Sequence, residues 1–118
     1  MDKYFTPKTA VNGIKKFVQS YRECLISIGK SPDCHIYEMD KEAFRFVKNG
    51  PSRRFLSSII KFYNELDGEI DKKIFITEIL EPGRHYRFWH YGVMESSLYR
   101  TRIQEIYGKL NTRFGLEA

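Results

Sequence analysis

The sequence has few of the residues on which disulfide scaffolds and zinc sites depend. Its two cysteines, Cys24 and Cys34, do not form a C-x-x-C pair. Its three histidines, His35, His85 and His90, have no zinc-binding spacing. We therefore expect both cysteines to be reduced thiols in a cytoplasmic protein that uses no metal ion and no cofactor.

Other absences concern membranes and catalysis. No apolar run approaches the roughly 20 residues that span a bilayer, and the N-terminal residues include no apolar segment of the kind that directs secretion. There is no glycine-rich phosphate loop, no nucleophile arrangement and no spacing of acidic residues that demands acid–base catalysis. The sequence therefore predicts a protein that contacts no membrane and is not an enzyme.

What the sequence does have is enough apolar material for a core and a modest excess of positive charge. Hydrophobic residues make up 42% of the 118 residues and aromatic residues 15%, which suits one domain or two small helical parts. The net charge of +5 fits an anionic partner.

The spacing of the apolar residues predicts an all-α fold. Helices are expected over residues 7–28, 41–48, 52–66, 70–80, 86–91 and 95–112. The β-branched residues of 70–80 leave a strand possible there, although the helical period fits better. The helix over 52–66 has a wide apolar face, so we expect it to be central to the core. We predict a helical N-terminal part over 1–66, for dimerisation or a partner contact, and a helix-turn-helix part over 67–118.

The first predicted helix has a narrow apolar seam with heptad spacing. The seam consists of Val11, Ile14, Val18, Tyr21, Leu25 and Ile28. Gly29 follows as a natural helix stop. Two interpretations are open, because the seam can pack against another helix of the same chain or pair with its mate in a homodimer.

Residues 84–110 have the pattern of a helix-turn-helix, in which a first helix supports a second one that lies in the DNA major groove. The support helix is the short aromatic segment 86–91. Gly92 makes the turn with a positive φ, and Val93 packs between the two helices. The recognition helix begins near Glu95, and its inward face is predicted to consist of Leu98, Tyr99, Ile103, Ile106, Leu110 and Phe114. The aromatic cluster of the support helix is expected in the core more than as a ligand platform; it consists of Tyr86, Phe88, Trp89 and Tyr91.

Residue types that suit contacts with bases and phosphates lie on the recognition helix and just before it. Arginine can donate two hydrogen bonds to guanine, serine can bond a base edge or a phosphate, and glutamate can accept from cytosine. Residues 84–102 include four arginines and one acidic residue, which gives this segment a charge of +3. The candidate DNA contacts on the helix are Glu95, Ser96, Ser97, Tyr99, Arg100 and Arg102. Arg84 and Arg87, which precede it, are candidates for phosphate contact.

The segment from Tyr91 to Arg100, YGVMESSLYR, resembles a pattern of phage-type late transcription regulators of the RinA and ArpU kind from Gram-positive bacteria. The helix over 70–80, the break Glu81-Pro82-Gly83 and the closing residues 110–116 fit the same layout. Met94 stands where the family has its capping serine. The resemblance covers residues 66–116 and implies a DNA-binding half similar to the fourth region of sigma factors. It also implies binding to promoter DNA and a contact with RNA polymerase.

We therefore predict a bacterial or phage transcription regulator that binds double-stranded DNA in a sequence-specific manner. The alternative is a non-enzymatic helical adaptor that binds a protein such as RNA polymerase through its basic, aromatic surface. The salt dependence of binding distinguishes the regulator from the adaptor. DNA binding weakens steeply with added salt, because the release of counterions from DNA then gains less free energy.

Overall fold

A computed structural model describes residues 7–39, 44, 47–48 and 50–116, with side chains from residue 13 onward. All regular structure within these ranges is helical, which confirms the predicted all-α fold. The elements are α1 (Pro7–Ser27), a short 3-10 turn (Ile36–Glu38), α2 (Pro51–Glu65), α3 (Gly68–Ile74), a π-helical segment (Phe75–Leu80) and α4 (Ser96–Phe114). The helix predicted over 41–48 lies mostly outside the described residues.

Local signals in the sequence set the ends of the long helices. Gly29 has a φ of 84°, and the amide of Lys30 donates to the carbonyl of Leu25 at 2.8 Å. This is the helix stop that the sequence predicts, because a glycine adopts the left-handed conformation freely. α2 begins at Pro51, whose fixed φ suits the first helical position.

The π-helical segment is buried on nearly every side. Phe75 and Ile79 are fully buried, and Ile76, Thr77 and Leu80 are at most 8% exposed. Four of its six residues are apolar and buried, so this segment lies deeper in the core than α2, which also exposes a polar face. The predicted helix over 70–80 is confirmed as helical, and the strand alternative is wrong.

The seam of α1 packs within its own chain. Tyr21 and Leu25 are 2% and 0% exposed, while Ile14, Val18 and Ile28 pack partly buried against the same core. Val11 has no described side chain. The first interpretation of the seam is therefore correct for the described side chains, and the homodimer stays a prediction in which the buried Tyr21 and Leu25 have no surface left to take part.

The C-terminal end of α4 closes the core against α1 and α2. The ring of Phe114 lies 5.1 Å from that of Phe17 and 5.8 Å from that of Phe55, measured between centroids. Phe62 of α2 similarly packs on Phe75 at 5.1 Å. The core thus joins residues from both sides of position 66. Among the helices that the structure describes, none has both the length and the apolar character needed to cross a membrane.

Candidate nucleic-acid interface

The segment predicted as the support helix is a series of turns. The amides of Trp89, Tyr91 and Val93 each donate to the carbonyl three residues earlier, at 3.0–3.2 Å, without a continuing helical ladder. The prediction of a helix over 86–91 is wrong, since tertiary contacts of individual aromatic rings replace the regular helical pattern. Gly92 has the predicted positive φ, at 84°.

Two inward side chains hold this segment on the rest of the protein. The indole of Trp89 donates to the hydroxyl of Thr77 at 3.2 Å. His90 is stacked on Tyr99, with ring centroids 3.6 Å apart and planes within 4°. The 84–94 segment, which we call the aromatic loop, is therefore fixed to both the π-helical segment and α4.

Tyr99 is part of this support and does not contact a ligand. Its side chain is 5% exposed, and its hydroxyl donates to the carboxylate of Glu78. Burial first, and then the hydrogen bond and charge of Glu78, raise the pKa of Tyr99 well above its ordinary value, so the hydroxyl stays protonated. The predicted inward position of Tyr99 is confirmed, and its assignment as a DNA contact is wrong.

A buried carboxylate anchors the start of the aromatic loop. Glu81 is 1% exposed; one oxygen is bonded to the imidazole of His35, and the other lies 2.6 Å from Nε2 of His85. Arg84 adds a hydrogen bond to the carbonyl of Asp33 at 3.3 Å. Within the described ranges, no group of three or more His, Cys, Asp or Glu residues is arranged to hold a metal ion. The cluster is therefore a hydrogen-bonded tether between the loop after α1 and the aromatic loop.

α4 begins where the sequence predicts the start of this helix. Glu95 is the N-cap of α4, with extended backbone angles and no capping bond from its side chain. Ser96 and Ser97 are exposed in the first turn. Because the first amides of a helix lack partners inside it, this end of α4 offers N–H donors and a positive dipole end to an anion.

The face of α4 turned away from the core is polar, and all of its side chains except that of Gln104 are short. We call this face the outer ridge; it consists of Ser97, Thr101, Gln104, Gly108 and Thr112. The hydroxyls of Thr101 and Thr112 donate to helix carbonyls four residues earlier, at 3.0 and 2.9 Å. The ridge is therefore low and lets another surface approach the helix closely. The prediction that Leu98 faces inward is wrong, since its side chain is 46% exposed.

One flank of α4 is occupied by ion pairs within the chain. Arg102 lies 3.4 Å from the buried carboxylate of Asp71, and Lys109 lies 3.9 Å from Asp67. Arg113 pairs with Glu65. Since Asp71 is only 4% exposed and Arg102 lies within ion-pair distance of it, the guanidinium of Arg102 chiefly orients α4 on α3.

The other cations near the aromatic loop are less engaged. Arg100 is exposed, and no ion pair of its side chain occurs among the described residues. The guanidinium of Arg87 lies 5.6 Å from the ring centroid of Phe88, and the ammonium of Lys73 lies 4.7 Å from that of Trp89. Arg84, by contrast, is tied to Asp33. The positive charge available to a partner thus comes from Arg100, Arg87 and Lys73.

The aromatic loop presents three neighbouring rings to solvent, which we call the aromatic patch. Tyr86, Phe88 and Tyr91 are 73%, 41% and 60% exposed. Phe88 lies between the other two, with centroid distances of 5.9 Å to Tyr86 and 5.0 Å to Tyr91. The prediction that the aromatic cluster belongs to the core is wrong for these three rings, and only Trp89 is half-buried. Val93, predicted to pack between helices, is 53% exposed.

Comparisons of this chain with protein-family models, with curated proteins and with solved structures found no match. The resemblance of the segment from Tyr91 to Arg100 to phage-type regulators stays a prediction.

Proposed function

We propose that the protein binds double-stranded DNA and regulates transcription, with the outer ridge of α4 facing the major groove. The observation that carries this proposal is the ridge itself, which is polar, has mostly short side chains and is exposed along the helix except at the half-buried Gly108. The major groove is about 12 Å wide and admits one α-helix, and short side chains allow the helix to enter deeply. Regulation, a cytoplasmic location and kinship with the RinA and ArpU kind belong to the same proposal.

The individual residues have separate roles in this proposal. Arg100, beside the outer ridge, contacts a base or a phosphate. Ser96 and Ser97, with the open amides of the first turn, hold a phosphate, and Glu95 is placed to accept from a cytosine at the same end. Arg87 supplies a backbone contact, as Arg84 does in addition to its bond to the loop after α1.

A single recognition helix makes few contacts, so useful affinity calls for a second copy or for RNA polymerase bound beside it. Because Tyr21 and Leu25 of the α1 seam are buried, a homodimer would need surface beyond these two residues.

The test starts from selection of bound sequences out of a random duplex pool, followed by titration of the selected duplex at fixed salt. Arg100→Ala is expected to weaken binding by about 1–3 kcal/mol if this residue contacts a base. Arg54→Ala is the matched control, since it removes the same charge from an exposed position on α2 and is expected to have little effect. The logarithm of the affinity should also fall linearly with the logarithm of salt concentration.

A wild-type protein that binds no duplex even at low salt would reject this proposal. Equal losses for Arg100→Ala and Arg54→Ala would instead show general attraction by net charge and remove Arg100 from the interface.

The second candidate is a non-enzymatic adaptor that binds a protein such as RNA polymerase. The exposed aromatic patch with an arginine on it favours this candidate, because tyrosine, phenylalanine and arginine are enriched in protein interfaces. An adaptor would form a complex with polymerase in the absence of DNA and show no steep loss of duplex binding with salt.

A further inference from the structure

We propose that the aromatic patch is a stacking surface for unpaired nucleobases, so that the protein binds single-stranded nucleic acid with residues other than those of the α4 ridge. The inference rests on the proposed function in that its partner is again a nucleic acid. It assigns a role to Tyr86, Phe88 and Tyr91, which the binding of duplex along α4 does not use.

The first observation is the exposure of three adjacent rings. Burial of an aromatic side chain is more favourable than burial of most other side chains, because each ring can bury about 150–250 Å². Yet Tyr86 and Tyr91 are 73% and 60% exposed on either side of Phe88. A cluster of this kind marks a surface that is covered when its ligand is bound.

The second observation is that the patch is held from beneath. Trp89 and His90, which lie between Phe88 and Tyr91 in the sequence, are fixed by the hydroxyl of Thr77 and by the ring of Tyr99. Glu81 and its two imidazoles hold the start of the loop. The rings thus lie on a loop that is anchored at several points, so little conformational entropy is lost when a ligand binds to them.

The third observation is the charge around the rings. The guanidinium of Arg87 lies over Phe88, and the ammonium of Lys73 lies over Trp89. The carboxylates of Glu78 and Glu81 are engaged inside the protein, Glu78 by Tyr99 and Glu81 by histidines. Aromatic rings interleaved with cations are the arrangement by which proteins bind single strands, since bases stack on the rings and phosphates meet the cations.

A cleft of about 390 Å³ adjoins the patch. Tyr86 and Arg87 form one side of it, and Thr77, Glu78 and Trp89 contribute to the rest. A base stacked at the edge of the patch thus has polar groups beside it as well as a ring face, which a purely apolar docking surface would not supply.

The experiment measures fluorescence anisotropy with three short oligomers of equal length. One is oligodeoxyuridylate, one is oligouridylate, and the third is a deoxyribose-phosphate backbone without bases. All three have the same number of phosphates, so charge alone would bind them equally. We expect the base-containing strands to bind about five- to 150-fold more tightly than the abasic backbone, as one stacked base provides. The difference between the DNA and RNA strands reports which sugar the site accepts.

Phe88→Ala and Tyr91→Ala are expected to bring the affinity for both base-containing strands close to that for the abasic backbone. Phe88→Tyr keeps a ring and should keep the wild-type preference. Ile26→Ala removes a side chain that is 58% exposed on α1 and serves as the control for loss of an exposed hydrophobe. Circular dichroism of each variant confirms that the helices are intact.

Equal binding of the abasic and base-containing strands would overturn the inference. So would alanine variants that bind single strands normally but lose a complex with RNA polymerase, since the patch would then be a protein-docking surface. The duplex proposal is tested separately, because it requires that Arg100→Ala weaken binding to the selected duplex. Phe88→Ala should change the affinity for that duplex by no more than about twofold, as a neutral surface substitution does.

Discussion

Glu81 is the most deeply buried acidic side chain in the described part of the protein, and imidazoles hold both of its oxygens. Its burial at 1% exposure would be costly for a lone carboxylate. The contacts with His35 and His85 offset this cost. The tether therefore stabilises the fold only as a complete set, because removal of an imidazole leaves one oxygen of the buried carboxylate without its partner.

Glu81→Gln is expected to lower the free energy of unfolding by about 1–3 kcal/mol, the cost of leaving a buried polar group poorly paired. Urea denaturation followed by circular dichroism measures the change. Glu105→Gln makes the same chemical change at an exposed position of α4, where about 0.5 kcal/mol or less is expected. Equal effects at the two positions would mean that the tether does not contribute to stability.

Single residues with a local role were predictable, and residues whose role depends on distant partners were not. The positive φ of Gly92 and the N-cap position of Glu95 follow from their immediate neighbours. The engagement of Arg102 depends on Asp71, which lies 31 residues away in sequence. No local pattern predicts that contact, so the sequence alone predicts a DNA contact for Arg102 from its residue type.

The same division holds for the elements. Long segments with a clear apolar period, such as α1, α2 and α4, were predictable because burial of one face decides their conformation. The aromatic loop was not, since the hydrogen bond of Trp89 and the stacking of His90 set its path. The long helices were predictable because no other local conformation competes with the helix. The aromatic loop was not, because specific tertiary contacts override the local helical preference.

Two glycines within helices provide a matched test of how α1 and α4 meet. A methyl group at Gly13 would lie 2.6 Å from the carbonyl oxygen of Leu116, whereas one at Gly108 would meet no atom within 4 Å. Gly108→Ala is expected to raise the free energy of unfolding by about 0.5–1 kcal/mol through helix propensity. Gly13→Ala is expected to lower it by about 1–3 kcal/mol, because overpacking outweighs the same gain.

Thermal unfolding of both glycine variants checks this pair. Stabilisation by Gly13→Ala equal to that by Gly108→Ala would show that the residues after α4 do not pack on α1.

At the scale of the whole molecule, the fold is one core divided between two stretches that looked separable in sequence. The rings of Phe17 and Phe55 come from one side of position 66, and those of Phe75 and Phe114 from the other. Side chains of both stretches belong to the same core cluster. The two stretches are therefore expected to depend on each other for stability.

Residues 67–118 expressed alone are expected to lose most of their helical signal in circular dichroism, because α4 and the π-helical segment would expose their buried faces. Mixing this fragment with residues 1–66 should restore it, and the intact chain should unfold in one transition. A fragment 67–118 that unfolds cooperatively by itself would contradict this expectation and identify an independent domain.

The π-helical segment has a consequence for the phase of the helical faces on either side of it. Each residue of an α-helix advances the side-chain direction by about 100°, whereas the wider turn at Phe75–Leu80 absorbs an additional residue within the same length of helix. Asp71 before it can therefore face α4 while Glu81 after it faces the histidines. Deletion of one residue from this segment would rotate the helix face that includes Asp71 relative to the position of Glu81. The ion pair of Asp71 with α4 and the contacts of Glu81 with the histidines could then no longer form together.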